Sequence, residues 1–308
     1  MRHFLTILDL SAVEAEAMLH RALDLKRNGL RLSTLAGKTL ILLFEKASTR
    51  TRLSFEVAVR HLGGSCIFMS DRESQLGRNE PLRDTARVVS RYGDGLIVRT
   101  FGQEKLAELS RYSSVPVVNA LSDAYHPCQV MSDLLTLAER IDGGVEGLGN
   151  QRVAWVGDGN NMAHSWINAA IQFPFELTLA CPEGFGPDEG VLNLALEKGA
   201  RVKLTHDPAE AVKDADFVNT DVWASMGQEG EQDKRARVFE GFQVNSDLLI
   251  RAAPGARVMH CLPAHRGEEI TDEVMESEAS IVWDQAENRL HMQKAILEWI
   301  YMERGGAQ

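Results

Sequence analysis

The run Phe44-Glu45-Lys46-Ala47-Ser48-Thr49-Arg50-Thr51-Arg52-Leu53-Ser54-Phe55-Glu56 decides how this chain is read. Before it, Thr39 to Phe44 is an apolar stretch with the length of a short buried strand; after it, a helical pattern runs to Gly63-Gly64. Ser48 is a good N-cap residue, which places Thr49, Arg50 and Thr51 in the first turn. Backbone N–H groups there have no intrahelical acceptor, and the helix end carries roughly half a positive charge. Hydroxyls and a guanidinium added to that end make a site for a tetrahedral dianion. At about 100° per residue, Arg50 and Arg52 leave the helix on nearly opposite sides, so one anion cannot hold both. Arg50 is therefore the expected anion ligand, and Arg52 is expected to pair with Glu56. An ordinary capped helix with surface arginines is the plainer alternative.

Working outward, strand and helix alternate along the chain. Further strands are expected at Ser65 to Met69, Gly95 to Val98 and Val115 to Val118. In the second half they are expected at Val153 to Val156, Leu177 to Ala180, Arg201 to Leu204, Asp216 to Asn219, Arg257 to Met259 and Ile281 to Trp283. A capping box at Ser11 to Glu14 opens the first helix, and Ala286 to Tyr301 forms the last. Such alternation predicts an α/β chain of two domains, each a parallel sheet flanked by helices. Asp142-Gly143-Gly144 divides residues 1–142 from 143–285, with a terminal helix at about 286–304.

Composition sets outer limits. The chain has 308 residues, 44% apolar and 25% charged, which suits two ordinary globular domains. A net charge of −11 argues against a nucleic-acid or anionic-membrane partner, so any anion site must be local. Met1 to Leu5 lacks the apolar core of a signal peptide, and no run approaches membrane-spanning length. Cys66, Cys128, Cys181 and Cys261 show no close pairing, as expected of free thiols in a cytoplasmic protein.

Polar residues gather where strands end, the place where doubly wound folds bind ligands. Arg99 ends one strand and can give an anion a second guanidinium; it is otherwise a surface charge. His126 precedes Pro127 at a helix start, where the neutral imidazole is favoured and can donate to a carbonyl oxygen gaining charge. Alternatively it is a buried structural histidine. Gln129, one turn on, can reach an amide of the same ligand. Gly157-Asp158-Gly159 follows a strand as in a dinucleotide site, but Asn160-Asn161-Met162 replaces the third glycine and favours a small polar ligand. Asp221 can bind an ammonium group or serve only as a turn aspartate. His260-Cys261-Leu262-Pro263 ends another strand with a thiol that can exchange a proton with an amine. The spacing of His126, Cys128, His260 and Cys261 matches no usual zinc ligand set.

Taken together, Ser-Thr-Arg-Thr-Arg at 48–52, His-Pro-Cys-Gln at 126–129, Asp-Val-Trp-Ala-Ser-Met-Gly at 221–227 and His-Cys-Leu-Pro at 260–263 resemble the motifs of the ornithine carbamoyltransferases. The resemblance spans essentially the whole chain in the same order. It implies one domain for carbamoyl phosphate, one for L-ornithine, and a last helix packing back on the first. A homotrimer or a multiple of trimers is implied too, with sites at subunit interfaces and no metal or organic cofactor. Residue by residue, Ser48, Thr49, Arg50 and Thr51 would hold the phosphate; Arg99, His126 and Gln129 would hold and polarise the carbamoyl group. Gln75 would reach a neighbouring subunit's site, and Arg289 would touch carbamoyl phosphate from the last helix. Asn161, Asp221, Ser225 and Met226 would hold ornithine, with Cys261 and Leu262 beside the reacting atoms. Asn79 stands where many relatives have glycine, a departure that bears on that loop's conformation. An aspartate carbamoyltransferase would need arginines and lysines for a dicarboxylate where this chain offers Asn160-Asn161 and Asp221. Other rivals are a putrescine acceptor, a nicotinamide-dependent dehydrogenase using the Gly157 loop, and a binding protein without turnover.

Overall fold

The computed structural model describes residues 1–70, 80–224, 230 and 232–302. Gln75, Asn79, Ser225 and Met226 lie outside the described residues. By contacts the chain forms two compact units, residues 1–131 with 289–308, and residues 132–288.

The first unit holds a four-stranded parallel sheet of β1 (Thr39–Phe44), β2 (Ser65–Ser70), β3 (Gly95–Arg99) and β4 (Val117–Leu121), in the order β2-β1-β3-β4. Its helices are α1 (Ala12–Arg27), α2 (Thr49–His61), α3 (Leu82–Val89), α4 (Gln103–Tyr112) and the start of α5 (Pro127–Ala138). The buried run Leu40-Ile41-Leu42-Leu43-Phe44 is the nearly continuous apolar pattern of a strand covered on both faces. Ile41, Leu43, Leu96, Val98 and Val117 share one core cluster with Leu106 and Leu109 of α4. β4 starts two residues later than its apolar signal suggests and runs on through buried Asn119 and Ala120.

The second unit holds a five-stranded parallel sheet in the order β7-β6-β5-β8-β9. Its strands are β5 (Arg152–Val156), β6 (Glu176–Ala180), β7 (Val202–Thr205), β8 (Phe217–Thr220) and β9 (Arg257–His260). The helices are α6 (Asn161–Gln172), α7 (Glu189–Glu197), α8 (Pro208–Val212), α9 (Gln232–Val238), α10 (Ser246–Leu249) and α11 (Asp272–Met275). Trp223, Phe239 and Phe242 fill the core beside Val156 and Val218.

One expected strand is absent. Ile281 to Trp283 makes a single bridge to the sheet, Val258 with Ser280, and the Ile281 N–H donates to the Val258 carbonyl at 3.0 Å. The Ile281 carbonyl then accepts from the Gln285 N–H at 3.0 Å, so helix α12 (Val282–Tyr301) starts where a strand was expected. The end of α12 completes the first unit: Arg21 pairs with Glu298 at 2.7 Å, and the Tyr301 hydroxyl donates to the Asp94 carbonyl at 2.6 Å. Among the described residues, no helix is long and apolar enough to cross a membrane.

Candidate active site

In each sheet the strand order reverses about its first strand, at β1/β3 and at β5/β8. Ligands of doubly wound sheets bind at such points, beyond the carboxyl ends of the strands.

In the first unit, the loop after β1 leads straight into α2. Ser48 is extended, and its Oγ accepts from the Thr51 N–H at 3.3 Å, the expected cap. Arg52 Nε donates to Glu56 Oε1 at 2.7 Å, and its guanidinium lies 3.7 Å from the Phe68 ring centroid. Arg52 is thus engaged on the far side, and half-buried Arg50 belongs to the first turn. Arg99 at the end of β3 is 6% exposed, and Arg289 of α12 is 4% exposed. The Arg289 Nη2 donates to Thr51 Oγ1 at 2.6 Å, so the last helix delivers a guanidinium to the N-terminus of α2. His126 is buried where α5 begins, and Gln129, 1% exposed, lies one turn further. Burial, then the charges of Arg289 and Arg99, push the His126 imidazole well below its ordinary range. The structure therefore brings together two buried guanidiniums, a neutral imidazole and a capped helix start. Two buried cations and a positive helix end call for an anion of matching charge.

The sign of the His126 shift gives a stability prediction. An unfolded chain titrates this histidine near 6.5, so below that pH the unfolded state binds the extra proton. The contribution is complete above the unfolded value and is lost as pH falls below it, at most about 1.4 kcal/mol per pH unit. Urea midpoints of the protein and of His126→Asn should therefore diverge as pH falls from about 7 to about 5. Parallel midpoints across that range would contradict the assignment.

Sequence reasoning missed Glu45 and Lys46. The Glu45 N–H donates to the Arg99 carbonyl at 2.8 Å, and its carboxylate accepts from Lys105 Nζ at 2.8 Å and from the Thr100 hydroxyl. Burial opposes ionisation of Glu45, but Lys105 and Thr100 outweigh it and hold the group below the usual carboxylate range. Lys46 pairs with Asp123. These bonds tie the β1 loop to the ends of β3 and β4 and so fix Ser48 relative to Arg99. Only partners distant in sequence reveal them.

In the second unit, Asp221 follows β8 and is 7% exposed. Its Oδ1 accepts from the Val222 N–H at 2.8 Å and from the Cys261 thiol at 2.9 Å. Its Oδ2 accepts from Asn160 Nδ2 at 3.1 Å, while Asn160 Oδ1 caps α6 by accepting from the Met162 N–H at 2.9 Å. Asn161, one residue on, opens that helix. Of the asparagine pair, Asn160 is thus occupied in holding Asp221, a role that only the folded chain displays. Leu262 has φ +58°, a left-handed conformation rare outside glycine, and precedes a cis Pro263.

His260 cannot serve as a metal ligand, although Asp221, His260 and Cys261 lie close together. Its Nδ1 accepts from the Leu262 N–H at 2.8 Å, which leaves Nε2 to donate to buried Glu269 at 2.9 Å. Both ring nitrogens are used. The glycines of the β5 loop likewise have local reasons. A Cβ on Gly159 would lie 2.2 Å from the Gly186–Pro187 backbone, and Gly157 has φ +142°. Dinucleotide binding need not be invoked for either.

Comparison with known proteins finds two matched regions. Residues 2–139 match the carbamoyl-P binding domain of aspartate/ornithine carbamoyltransferase, and residues 149–300 match its Asp/Orn binding domain. The chain belongs to the aspartate/ornithine carbamoyltransferase family. An ornithine carbamoyltransferase of Nitratidesulfovibrio vulgaris is 64% identical over 302 residues, 98% of this chain and 99% of its own. Among solved structures, that of Pyrococcus furiosus ornithine carbamoyltransferase is 46% identical with a TM-score of 0.91, covering 100% of this chain and 98% of its own. An anabolic ornithine carbamoyltransferase of Campylobacter jejuni gives a TM-score of 0.92 at 40% identity, over 97% of this chain and 99% of its own. Within this family's two-domain plan, the cationic cluster falls in the first matched region except for Arg289, which α12 returns to it.

Proposed function

We propose that the chain transfers the carbamoyl group of carbamoyl phosphate to the side-chain amine of L-ornithine, giving L-citrulline and phosphate. The observation that carries the choice of acceptor is Asp221, a buried carboxylate held by Asn160, Val222 and Cys261 where an aspartate-using relative would need cations. A carboxylate so fixed suits the α-ammonium of an amino acid.

Each step follows from named groups. Ser48, Thr49, Arg50 and Thr51 take the phosphate at the start of α2, with Arg289 beside Thr51. Arg99, His126 and Gln129 hold the carbamoyl group, with Gln75 reaching in from a neighbouring subunit. Asn161 binds the ornithine carboxylate, Asp221 its ammonium, and Ser225, Met226 and Leu262 enclose the side chain. The δ-amine, with an ordinary pKa near 10, attacks only after losing a proton to solvent. Attack on the carbamoyl carbon forms a C–N bond and a tetrahedral oxyanion, which Arg99 and the N–H of neutral His126 stabilise. Losing one such donor typically costs about 3 kcal/mol of barrier. Collapse breaks the C–O bond, and the amine nitrogen's proton moves to the departing phosphate oxygen. Cys261 is the other candidate acceptor, but its thiol donates to Asp221, and a thiolate there would face a carboxylate.

We further infer a cytoplasmic enzyme of arginine metabolism that works as a homotrimer or a multiple of trimers. The test is a citrulline-type assay offering ornithine, aspartate, putrescine and N-acetylornithine side by side with carbamoyl phosphate. Turnover restricted to ornithine is expected; preference for aspartate or putrescine would overturn the reading.

A further inference from the structure

The oxyanion needs Arg99 and His126 together, and the two come from different strand ends. The register of β3 and β4 slips between Val98 and Arg99, which sets Arg99 opposite Leu121. Residues 122–125 then separate that strand end from His126. They close on themselves: the Ser122 N–H donates to the Tyr125 carbonyl at 2.9 Å, and the Tyr125 N–H donates back to Ser122 Oγ at 3.0 Å. The Ser122 hydroxyl donates outward, to Gln103 Oε1 at 2.6 Å; the Tyr125 carbonyl, at 3.4 Å, is the more distant choice. Asn119 Nδ2 donates to the same Gln103 oxygen at 3.4 Å, and both Ser122 and Asn119 are fully buried. Gln103 is the first residue of α4 and lies four residues beyond Arg99. One amide oxygen therefore joins the segment that carries Arg99 to the turn that leads into His126. Helix capping does not account for it, since α4 has Gly102 at its N-cap and no side-chain cap bond.

We propose that Gln103 is a positioning residue for the transfer: its side-chain oxygen seats the Ser122–Tyr125 turn, and with it His126, at a fixed place relative to Arg99. The proposal rests on the carbamoyl-transfer reading above. Toward Ser122 and Asn119 the oxygen acts only as an acceptor, so a carboxylate of similar length can replace it. A hydrocarbon side chain cannot. The phosphate ligands of α2 owe their places to the Ser48 cap, which Gln103 does not touch. Loss of the Gln103 oxygen is therefore felt where His126 acts, in the transition state rather than in ground-state binding.

The test compares Gln103→Leu, Gln103→Glu and Ser122→Ala with the wild type, by citrulline formation at saturating substrates and by calorimetric titration with carbamoyl phosphate. Gln103→Leu should lower kcat roughly tenfold and leave the carbamoyl phosphate Kd within about twofold, since small misplacements of a catalytic group cost this much. Gln103→Glu should keep the wild-type kcat. Ser122→Ala removes the middle link and should lose at least as much as Gln103→Leu. Wild-type kcat in Ser122→Ala overturns the proposal even if the leucine variant fails to fold. In a His126→Asn background, Gln103→Leu should lower kcat by less than about twofold, because the group it positions is gone. A merely structural role predicts the same loss in both backgrounds, or a lowered Tm with kcat unchanged, and either result overturns the proposal. So does an equal loss in Gln103→Glu. The ring carbon–proton NMR signal of His126, assigned by its absence from His126→Asn, should move in Gln103→Leu and stay in Gln103→Glu. That signal reads the seating of His126 without turnover, and an unmoved signal in Gln103→Leu sinks the proposal alone. Absence of citrulline from the wild type sinks the carbamoyl-transfer reading instead.

Discussion

Arg50→Ala is expected to weaken carbamoyl phosphate binding by roughly 100-fold, since hydrogen bonds to charged groups contribute about 1.5–3 kcal/mol each. Arg50 sits in the first turn of α2, where the Ser48 cap fixes the backbone and Arg289 already engages the Thr51 hydroxyl. Deleting its guanidinium leaves the phosphate with the helix end and the hydroxyls. Calorimetric titration with carbamoyl phosphate measures the loss. Arg52→Ala is the matched control, because its partner is Glu56 across an exposed helix turn and such pairs contribute about 0.3–0.5 kcal/mol. Equal affinity losses in the two variants, or wild-type affinity in Arg50→Ala, would remove the phosphate from this helix end.

Asp221→Ala should raise the ornithine KM by roughly 10- to 150-fold and leave carbamoyl phosphate affinity as it was. The carboxylate is the acceptor shared by Asn160, Val222 and Cys261, so its removal also takes that acceptor from three donors. Steady-state kinetics with each substrate varied in turn separates the two effects. A raised carbamoyl phosphate KM with normal ornithine KM would refute the division of labour between the two matched domains.

How much of this was legible in the sequence depends on how local each signal is. The Ser11 capping box, the Ser48 cap and the Arg52–Glu56 pair involve residues three or four apart, and all three occur in the structure. The parallel sheets follow from runs such as Leu40 to Phe44, whose apolar pattern states two-sided burial. At Ile281 to Trp283 the same kind of run misled. Only Ile281 and Val282 are buried, Trp283 is 56% exposed, and the backbone turns into α12 after one bridge. A short apolar run does not by itself distinguish a strand from a helix start. The roles of Asn160 and Glu45 escaped notice for a different reason. Their partners lie 61 and 60 residues away, and no spacing rule reaches so far.

The return of α12 bears on how the polypeptide is born. A ribosome releases the amino-terminal part first, and such regions usually fold as they emerge. Here Thr51, Arg21 and Asp94 find Arg289, Glu298 and Tyr301 only after the roughly two hundred or more residues between them have been made. The earliest-made sheet must therefore wait, incompletely covered, while everything between is translated.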